Sequence, residues 1–209
     1  PTSVTITASE VGVMTTLTDL ARNSAPRNVA ADIGRLFGEA VAKKQDTDLT
    51  ALFDGFSTAV GDGTAALTAA GVFNAASTLR AAALNLNDSA VVLHPKIAFD
   101  LKANLTNTFA NPNGGDLQNE AMRSGFVGSL AGIRIFETSN ISNTGNAGDY
   151  KGAAFHRDAL ALAEMQGLKI ETQRDASLRA DEIVATSVYG VGEIHDSYGV
   201  EIHMDSSIQ

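Results

Sequence analysis

Four histidines are the side chains of this chain with the clearest capacity for chemistry. His195 and His203 lie on either side of a predicted turn at residues 196–199, where two imidazoles could meet around a metal ion. A metal site needs three or more ligands and a supporting shell, and only Glu193 and Asp196 lie near enough in sequence to add to the pair. Solvated strand ends are the simpler interpretation, with a metal site as the alternative.

A second constellation is His156-Arg157-Asp158, which has the residue types of a proton-transfer site. If a helix begins here, Asp158 would accept backbone N–H groups and complement the helix dipole. His156 would then cap the helix or bridge to a neighbouring strand. We predict a structural role for this histidine, and likewise for His94, which precedes Pro95.

Short catalytic and nucleotide-binding motifs do not occur in the sequence. Residues 128–132 miss the G-x-S-x-G spacing of a nucleophile elbow. Gly190-Val191-Gly192 lacks the third glycine of a dinucleotide loop, and there is no phosphate-binding G-x-x-x-x-G-K-[ST] sequence. The chain has no cysteine, which excludes disulfides and thiolate metal sites. We therefore predict no catalytic, cofactor-binding or metal-binding residues, no cofactor and no enzymatic activity.

Composition and net charge limit the kinds of molecule that this chain could bind. The 209 residues are apolar enough to bury a core, and no apolar run approaches the roughly 20 residues that span a bilayer. The net charge is −9, and Lys43-Lys44 is the densest basic cluster. Tight binding to nucleic acid requires many lysines and arginines to displace counterions from phosphates. A protein of this net charge that encloses DNA would surround the polymer without binding it tightly.

The elements that would position these residues alternate between helix and strand. Residues 1–24 are β-prone and rich in threonine, as in an extended ribbon with little core beneath it. A long helix follows, with an apolar stripe that repeats at helical spacing and continues through Leu49, Leu52 and Phe53. The stripe consists of Val29, Ile33, Leu36, Phe37, Ala40 and Val41.

The rest of the chain shows a similar mixture. The pattern predicts helices over residues 72–86, 95–105 and 155–166, and strands over residues 90–93, 133–136, 168–171, 182–194 and 200–204. The last two strands would form a hairpin, and polar loops would occupy residues 107–115 and 139–148. This unsystematic mixture favours an α+β fold over a doubly wound sheet.

Four segments, in this order along the chain, resemble landmarks of the major capsid proteins of tailed bacteriophages. Residues 90–95 (AVVLHP) are similar to a buried strand that ends in a His-Pro helix start, and residues 124–140 to a loop, glycine and strand that end in Ser-Asn. Residues 152–163 (GAAFHRDALALA) resemble the Phe-His-Lys/Arg-Asp-Ala entry into a short apolar helix. Residues 168–175 (LKIETQRD) resemble the family's Glu-x-x-Arg-Asp strand.

The resemblance implies the α+β capsid fold named for phage Hong Kong 97, with a long spine helix, a peripheral β-sheet domain, an axial domain and an extended loop. Mapped onto this chain, residues 1–24 would be the returning half of the extended loop. Residues 25–70 and 164–190 would form the peripheral domain, and residues 71–163 and 191–209 the axial domain. The family's N-terminal arm and the first half of its loop are missing ahead of Pro1, so we expect either a fragment or an abbreviated form.

The implied function is that of a major capsid protein, which assembles with itself into hexamers and pentamers of an icosahedral shell around double-stranded DNA. Its location would be the virion, after assembly in the host cytoplasm. Scaffold, portal and decoration proteins are further candidate partners, and no membrane partner is expected. The polar loops at residues 107–115 and 139–148 are candidates for contacts around the symmetry axes. Two alternatives remain open, namely the shell protein of an encapsulin-type nanocompartment and a small α+β enzyme without a recognisable motif.

Overall fold

The computed structural model describes residues 3–24, 28–109, 128–143 and 148–208. The chain forms two compact units, one of Pro1–Leu49 with Ala161–Gly192 and the other of Thr50–Leu160 with Glu193–Gln209. Part of each predicted polar loop, residues 110–115 and 144–147, lies outside the described residues, as does the start of the motif at residues 124–140.

The first unit is a three-stranded sheet with helices. The sheet has the order β1-β8-β7, with β1 at Ser9–Thr18, β7 at Leu160–Asp175 and β8 at Ala180–Glu193. A short helix α1 (Asp19–Ser24) follows β1, and the long helix α2 spans Val29–Thr50. The predicted long helix is thereby confirmed, and Leu52 and Phe53 follow it in a short 3-10 helix (Ala51–Gly55).

The core of this unit forms where α2 packs on β1 and β8. Phe37 of the helix is buried against Leu17 of β1 and against Ile183 and Ala185 of β8. Val29 and Ile33 pack on the rim of the same cluster, as the predicted apolar stripe requires. Leu36 belongs to that stripe but remains 52% exposed, because it lies at the stripe's margin.

Residues 1–24 are expected to form an extended ribbon with little core beneath it, but the strand within them pairs with β8 and reaches the core. β1 pairs antiparallel with β8 along its whole length, from Ser9 opposite Tyr189 to Thr18 opposite Ala180. Leu17 at its end is 5% exposed. Alternate β1 residues face the helix, so the threonine-rich composition describes the other, solvated face.

The predicted helix at residues 155–166 is also wrong. Phe155 and His156 end strand β6 (Asp149–His156), the chain turns, and β7 begins at Leu160. The alanines and leucines of this segment have good helix propensity, but pairing with β8 overrides it. The predicted strand at residues 168–171 is part of the same long β7.

Within the described residues, the second unit contains a six-stranded mixed sheet and two α-helices, α3 (Ala69–Ala81) and α4 (Pro95–Phe109). Its strand order is β2-β9-β6-β3-β5-β4. The remaining strands are β2 (Ala59–Val60), β3 (Ser89–Leu93), β4 (Ser129–Leu130), β5 (Ile133–Glu137) and β9 (Gly199–Asp205). The strands predicted around residues 90–93, 133–136 and 200–204 are confirmed, as is the helix that begins at Pro95.

Both faces of this sheet are apolar. Val91 and Leu93 of β3 belong to the larger cluster, with Leu79, Leu101 and Ile202. Val92, which points to the opposite face because strand residues alternate, packs against a smaller cluster. That cluster contains Phe53, Phe56, Ile141, Ala153 and Ala159.

The two units divide the chain near Thr50, Ala161 and Glu193. Residues 50–70 lie in the second unit, because Phe53 and Phe56 are buried there and β2 pairs with β9. Residues 161–163 and 191–192 lie in the first unit with β7 and β8. The helix predicted at residues 72–86 ends at Ala81, and Ala83 takes a left-handed conformation (φ 60°). β8 and β9 belong to different sheets, so the predicted hairpin between them does not form.

Phe37→Ala should lower the free energy of unfolding by about 3–5 kcal/mol, because it empties the centre of the contact between α2 and the sheet. Urea titration of the isolated chain measures this. Leu36→Ala is the matched control on the same helix, and about 1 kcal/mol or less is expected for this half-exposed side chain. Equal losses in the two variants would mean that the helix does not pack through Phe37.

Candidate assembly surfaces

The most open surface of the first unit is strand β7. Residues 162–174 of this strand are all exposed, on both faces. Among them are four large apolar side chains, namely Leu162 (42% exposed), Met165 (81%), Leu168 (44%) and Ile170 (46%). In β1, at the other side of the same sheet, every second residue is at least partly covered. Exposure on this scale suits a surface for contact with another molecule.

A network of four charged side chains closes one corner of this sheet. The Arg174 guanidinium donates to both carboxylate oxygens of Asp19 at 2.7 Å and to Asp181 at 3.2 Å. Arg22 also pairs with Asp181. The backbone N–H of Asp19 donates to the carbonyl of Arg179, in the turn between β7 and β8. This corner network therefore ties the end of β1 to that turn.

The network holds its carboxylates in the ionised form. The hydrogen bond from Arg174 lowers the pKa of Asp19 below its ordinary value, and the hydrogen bonds from Arg22 and Arg174 do the same for Asp181. Hydrogen bonds to Asp19 and Asp181 in turn raise the pKa of Arg174. Bidentate pairing of this kind fixes orientation as well as charge.

A second polar contact joins α2 to β8. The Tyr189 hydroxyl donates to Asp48 at 2.8 Å, and Lys44 pairs with the same carboxylate at 2.5 Å. Burial together with Asp48 raises the pKa of Tyr189 to about 12. Burial opposes ionisation of Asp48, but the hydrogen bonds from Lys44 and Tyr189 outweigh it and lower the pKa of that carboxyl.

The glycines at residues 190 and 192 serve close packing. A side chain on Gly190 would place its Cβ 2.5 Å from the carbonyl oxygen of Thr7, and one on Gly192 would lie 2.8 Å from Ile6. The segment before β1 therefore crosses β8 where only glycine leaves room.

His203 lies in an ion-pair cluster of the second unit. Its Nε2 is 2.7 Å from Asp149 Oδ1, and its Nδ1 is 3.9 Å from Glu201 Oε1. Lys151, opposite His203 on β6, pairs with Glu201 at 3.2 Å and with Asp54. Asp149 and Glu201 are both buried, and Lys151 offsets the charge of Glu201 within the sheet.

The other residues considered for a metal site lie elsewhere. The ring of His195 packs against Tyr198 with centroids 4.7 Å apart. Asp196 accepts hydrogen bonds from the backbone and hydroxyl of Ser57, which lower its pKa, while burial and Asp196 raise the pKa of Glu193. Within the described ranges, no three histidine or carboxylate side chains are grouped so that they could hold a metal ion.

His156 and His94 both lie in packed surroundings. His156 is 7% exposed, its Nδ1 accepts from the backbone N–H of Asp158 at 3.3 Å, and its ring meets Tyr198 edge-on. The expected helix dipole at Asp158 is absent, because the residue lies in a turn between strands. The ring of His94 stacks on that of Tyr150, with centroids 3.7 Å apart. Burial lowers the pKa of His94, and the positive charge of Lys96 lowers it further.

The surfaces described here were only partly accessible to sequence reasoning. The sequence pattern does not reveal the exposure of β7, because it predicts a helix for the first residues of this strand. The Arg174 contact with Asp19 joins residues far apart in the chain, so no local pattern could reveal it. None of the helices in the described ranges has the length and hydrophobicity needed to span a bilayer.

Comparison with known proteins identifies the family to which this sequence is similar. The model of the family described as "Phage capsid protein" matches residues 2–200. No curated protein is significantly similar to the chain in sequence.

Solved structures share the fold. A protein of Mycobacterium phage Che8 is 24% identical, with a TM-score of 0.78 over 93% of this chain and 70% of that chain. The capsid structure of cyanophage P-SCSP1u gives 19% identity and a TM-score of 0.75 over 97% and 74%. The SrpI encapsulin of Synechococcus elongatus gives 13% identity and a TM-score of 0.73 over 96% and 75%. These matches establish the α+β capsid fold, with its long spine helix, for this chain.

Asp19→Asn should lower the melting temperature near neutral pH, because it removes the bidentate partner of Arg174. The pKa of Asp19 is lowered on folding, so its contribution is present above the unfolded pKa of 3.8 and is lost as the pH falls through the folded value. The difference in melting temperature between Asp19→Asn and the parent should therefore shrink as the pH falls from roughly 5 to 2.

Thermal unfolding followed by circular dichroism across that range is the measurement. Glu10→Gln on β1 is the matched control, since it removes one exposed charge of the same sheet without touching Arg174. A difference at Asp19 that does not change with pH would contradict the ion-pair explanation.

Proposed function

The chain belongs to the phage capsid protein family, and from that membership we propose that it is the major capsid protein of a tailed phage. Its copies would assemble into hexamers and pentamers of a closed icosahedral shell around double-stranded DNA. The observation that carries the proposal is the family match over residues 2–200, nearly the whole chain. The α+β fold of the chain, which also occurs in the capsid of cyanophage P-SCSP1u, supports the same proposal.

The two units fit the domains of such a shell protein. The unit with helix α2 and strands β1, β8 and β7 corresponds to the peripheral domain, with α2 as its spine helix. The unit with the six-stranded sheet corresponds to the axial domain. Residues 1–24 correspond to the returning half of the extended loop, anchored at its base by the pairing of β1 with β8.

The charge supports a role in containing DNA. Fifteen lysines and arginines stand against twenty-four aspartates and glutamates. Several of the basic side chains are engaged by carboxylates of the chain itself, as with Arg174, Lys151 and Lys102. Carboxylates therefore outnumber the cations that could bind phosphates, and a wall that repels the packaged polymer leaves it mobile inside the shell. Scaffold, portal and decoration proteins complete the set of proposed partners, with the virion as the location.

The encapsulin alternative shares the fold, as the match to the SrpI encapsulin illustrates. The family match favours the phage shell. The content of purified particles separates the two, since a nanocompartment holds a protein cargo and a phage head holds DNA.

The full chain should form closed particles or rings when concentrated under assembly conditions, with scaffold protein added where required. The reason is that a shell protein acts by presenting complementary surfaces to its own copies. Sedimentation velocity combined with negative-stain microscopy is the measurement. A strict monomer at high concentration, with or without scaffold, would refute the proposal.

His156→Gln should leave particle formation largely intact, because glutamine can still accept from the Asp158 N–H and the site has a packing role. Particle yield and thermal stability of the variant are compared with those of the parent. His156→Asp, which buries a negative charge at the same position, should reduce both. An enzymatic activity that His156→Gln abolished would establish the α+β enzyme instead.

A further inference from the structure

His94 lies at the junction between strand β3 and helix α4. Its Nδ1 atom accepts a hydrogen bond from the backbone N–H of Lys96 at 3.3 Å, and its carbonyl accepts from the N–H of Ala98 at 3.0 Å. The first N–H groups of a helix have no partner within the helix, so a side chain that accepts from one of them stabilises the helix start. His94 therefore caps α4 with both its backbone and its side chain.

Strand β6 fixes the orientation of this capping ring. The imidazole stacks on Tyr150 of β6, with centroids 3.7 Å apart and ring planes within 3° of parallel. Tyr150 is opposite Met204 of β9 and packs against both apolar clusters of the sheet. The ring cannot turn away from the helix without losing this contact, so Nδ1 stays directed at the first turn of α4.

The side-chain cap requires a neutral imidazole. A neutral ring has one N–H and one nitrogen that can accept, whereas the protonated ring has two N–H groups and accepts no hydrogen bond. A proton on Nδ1 would therefore face the N–H of Lys96, donor against donor. It would also place a positive charge at the positive end of the helix dipole. Protonation of His94 thus removes a favourable contact and adds an unfavourable one.

The charged side chains of α4 and β5 do not compensate a proton on the ring. Lys96, two residues along the helix, adds a second positive charge. Asp100 of α4 is buried and accepts from the backbone N–H and the hydroxyl of Ser207. Glu137 of β5 pairs with Lys102 at 2.5 Å. Both carboxylates of these two elements are therefore engaged by other groups.

The charged side chains of β6 are directed elsewhere. Asp149 and Lys151 flank Tyr150 in sequence, so they lie on the opposite face of the strand. Asp149 Oδ1 is 2.7 Å from Nε2 of His203, and Lys151 Nζ is 3.2 Å from Glu201 Oε1. Within the described residues, the only charge that acts on the titration of His94 is the positive charge of Lys96.

These surroundings make the closed cap sensitive to acid. Burial lowers the pKa of His94 below its ordinary value of 6.5, and the charge of Lys96 lowers it further. As the pH falls below 6.5, an open cap takes up a proton before a closed cap does, so the closed form loses stability. The contribution of the cap is therefore complete above pH 6.5 and is lost as the pH falls through the lower pKa of the closed form.

We propose that His94 is a proton-sensitive cap, which holds the start of α4 closed while its ring is neutral and lets it open in mild acid. The effect reaches the interior of the second unit, because Ile97 and Leu101 of α4 are 2% and 0% exposed in the larger cluster. It also reaches the segment after β9, which Asp100 attaches to the helix through Ser207. The device belongs to a single chain and does not depend on the proposed shell function.

His94→Asn separates the cap from its proton, because asparagine caps helices well but does not titrate in this range. The measurement is hydrogen exchange of residues 96–101 in the full chain as a free subunit, corrected for the intrinsic exchange rate at each pH. Between about pH 7.5 and about pH 5, protection in the parent should fall about fivefold more than in His94→Asn, as the loss of one cap predicts.

His195→Asn is the matched control. His195 is exposed and also precedes a short helical segment, but its side chain makes no capping hydrogen bond. This variant should lose protection with acid as the parent does. His94→Ala, which removes the acceptor, should show weakened protection already at neutral pH. If His94→Ala does not fold, the two asparagine variants still decide the question.

Nuclear magnetic resonance titration of the His94 ring gives an independent readout. Its midpoint should lie below 6.5, as its buried position predicts. The face of Tyr150 would attract an imidazolium and act in the opposite direction. A midpoint at or above 6.5 would mean that this attraction prevails, and it would overturn the proposal. An acid loss in His94→Asn equal to that of the parent would do the same, as would equal effects of the two asparagine variants.

Discussion

The structure of the first unit depends on one contact, the packing of α2 across β1 and β8 through Phe37. The side chains that meet there are Leu17, Ile183 and Ala185, and all are buried. Ala185 is completely buried, and its small size lets the helix approach the sheet closely. Because a single helix covers about two strands, the third strand, β7, is left in solvent. The exposure of β7 is therefore a consequence of how much surface one helix can bury.

Electrostatic contacts support this arrangement from outside the core. The corner network fixes the turn between β7 and β8 against the end of β1. Tyr189 and Asp48 join β8 to the far part of α2. Tyr189 is buried, whereas the two arginines of the corner network are exposed, and exposed ion pairs contribute little to stability singly. Their geometric effect is larger, because they hold the turn of the long β7–β8 hairpin in one orientation against the end of β1.

The sequence predicted the helical stripe around Phe37, the strand before His94 and the helix at Pro95, because each depends on local periodicity or capping. It failed where tertiary pairing overrides local propensity. Residues 160–163 alternate leucine and alanine, which suits a helix as well as a strand, and only β8 decides between them. The turn at residues 196–199 resembles a hairpin loop, but β8 and β9 pair in different sheets. The family resemblance succeeded nevertheless, because its landmarks depend on order along the chain.

Strand β7 combines apolar and charged residues along one exposed strand. Its first half, through Leu168, is apolar and nearly uncharged, whereas its second half carries Lys169, Glu171 and Arg174. Charged residues beside an apolar strand oppose random edge-to-edge pairing, because a slipped register brings a charge against an apolar side chain. The net charge of −9 adds repulsion between copies at long range. The charged half of β7 therefore limits which extended segments could pair with its apolar half.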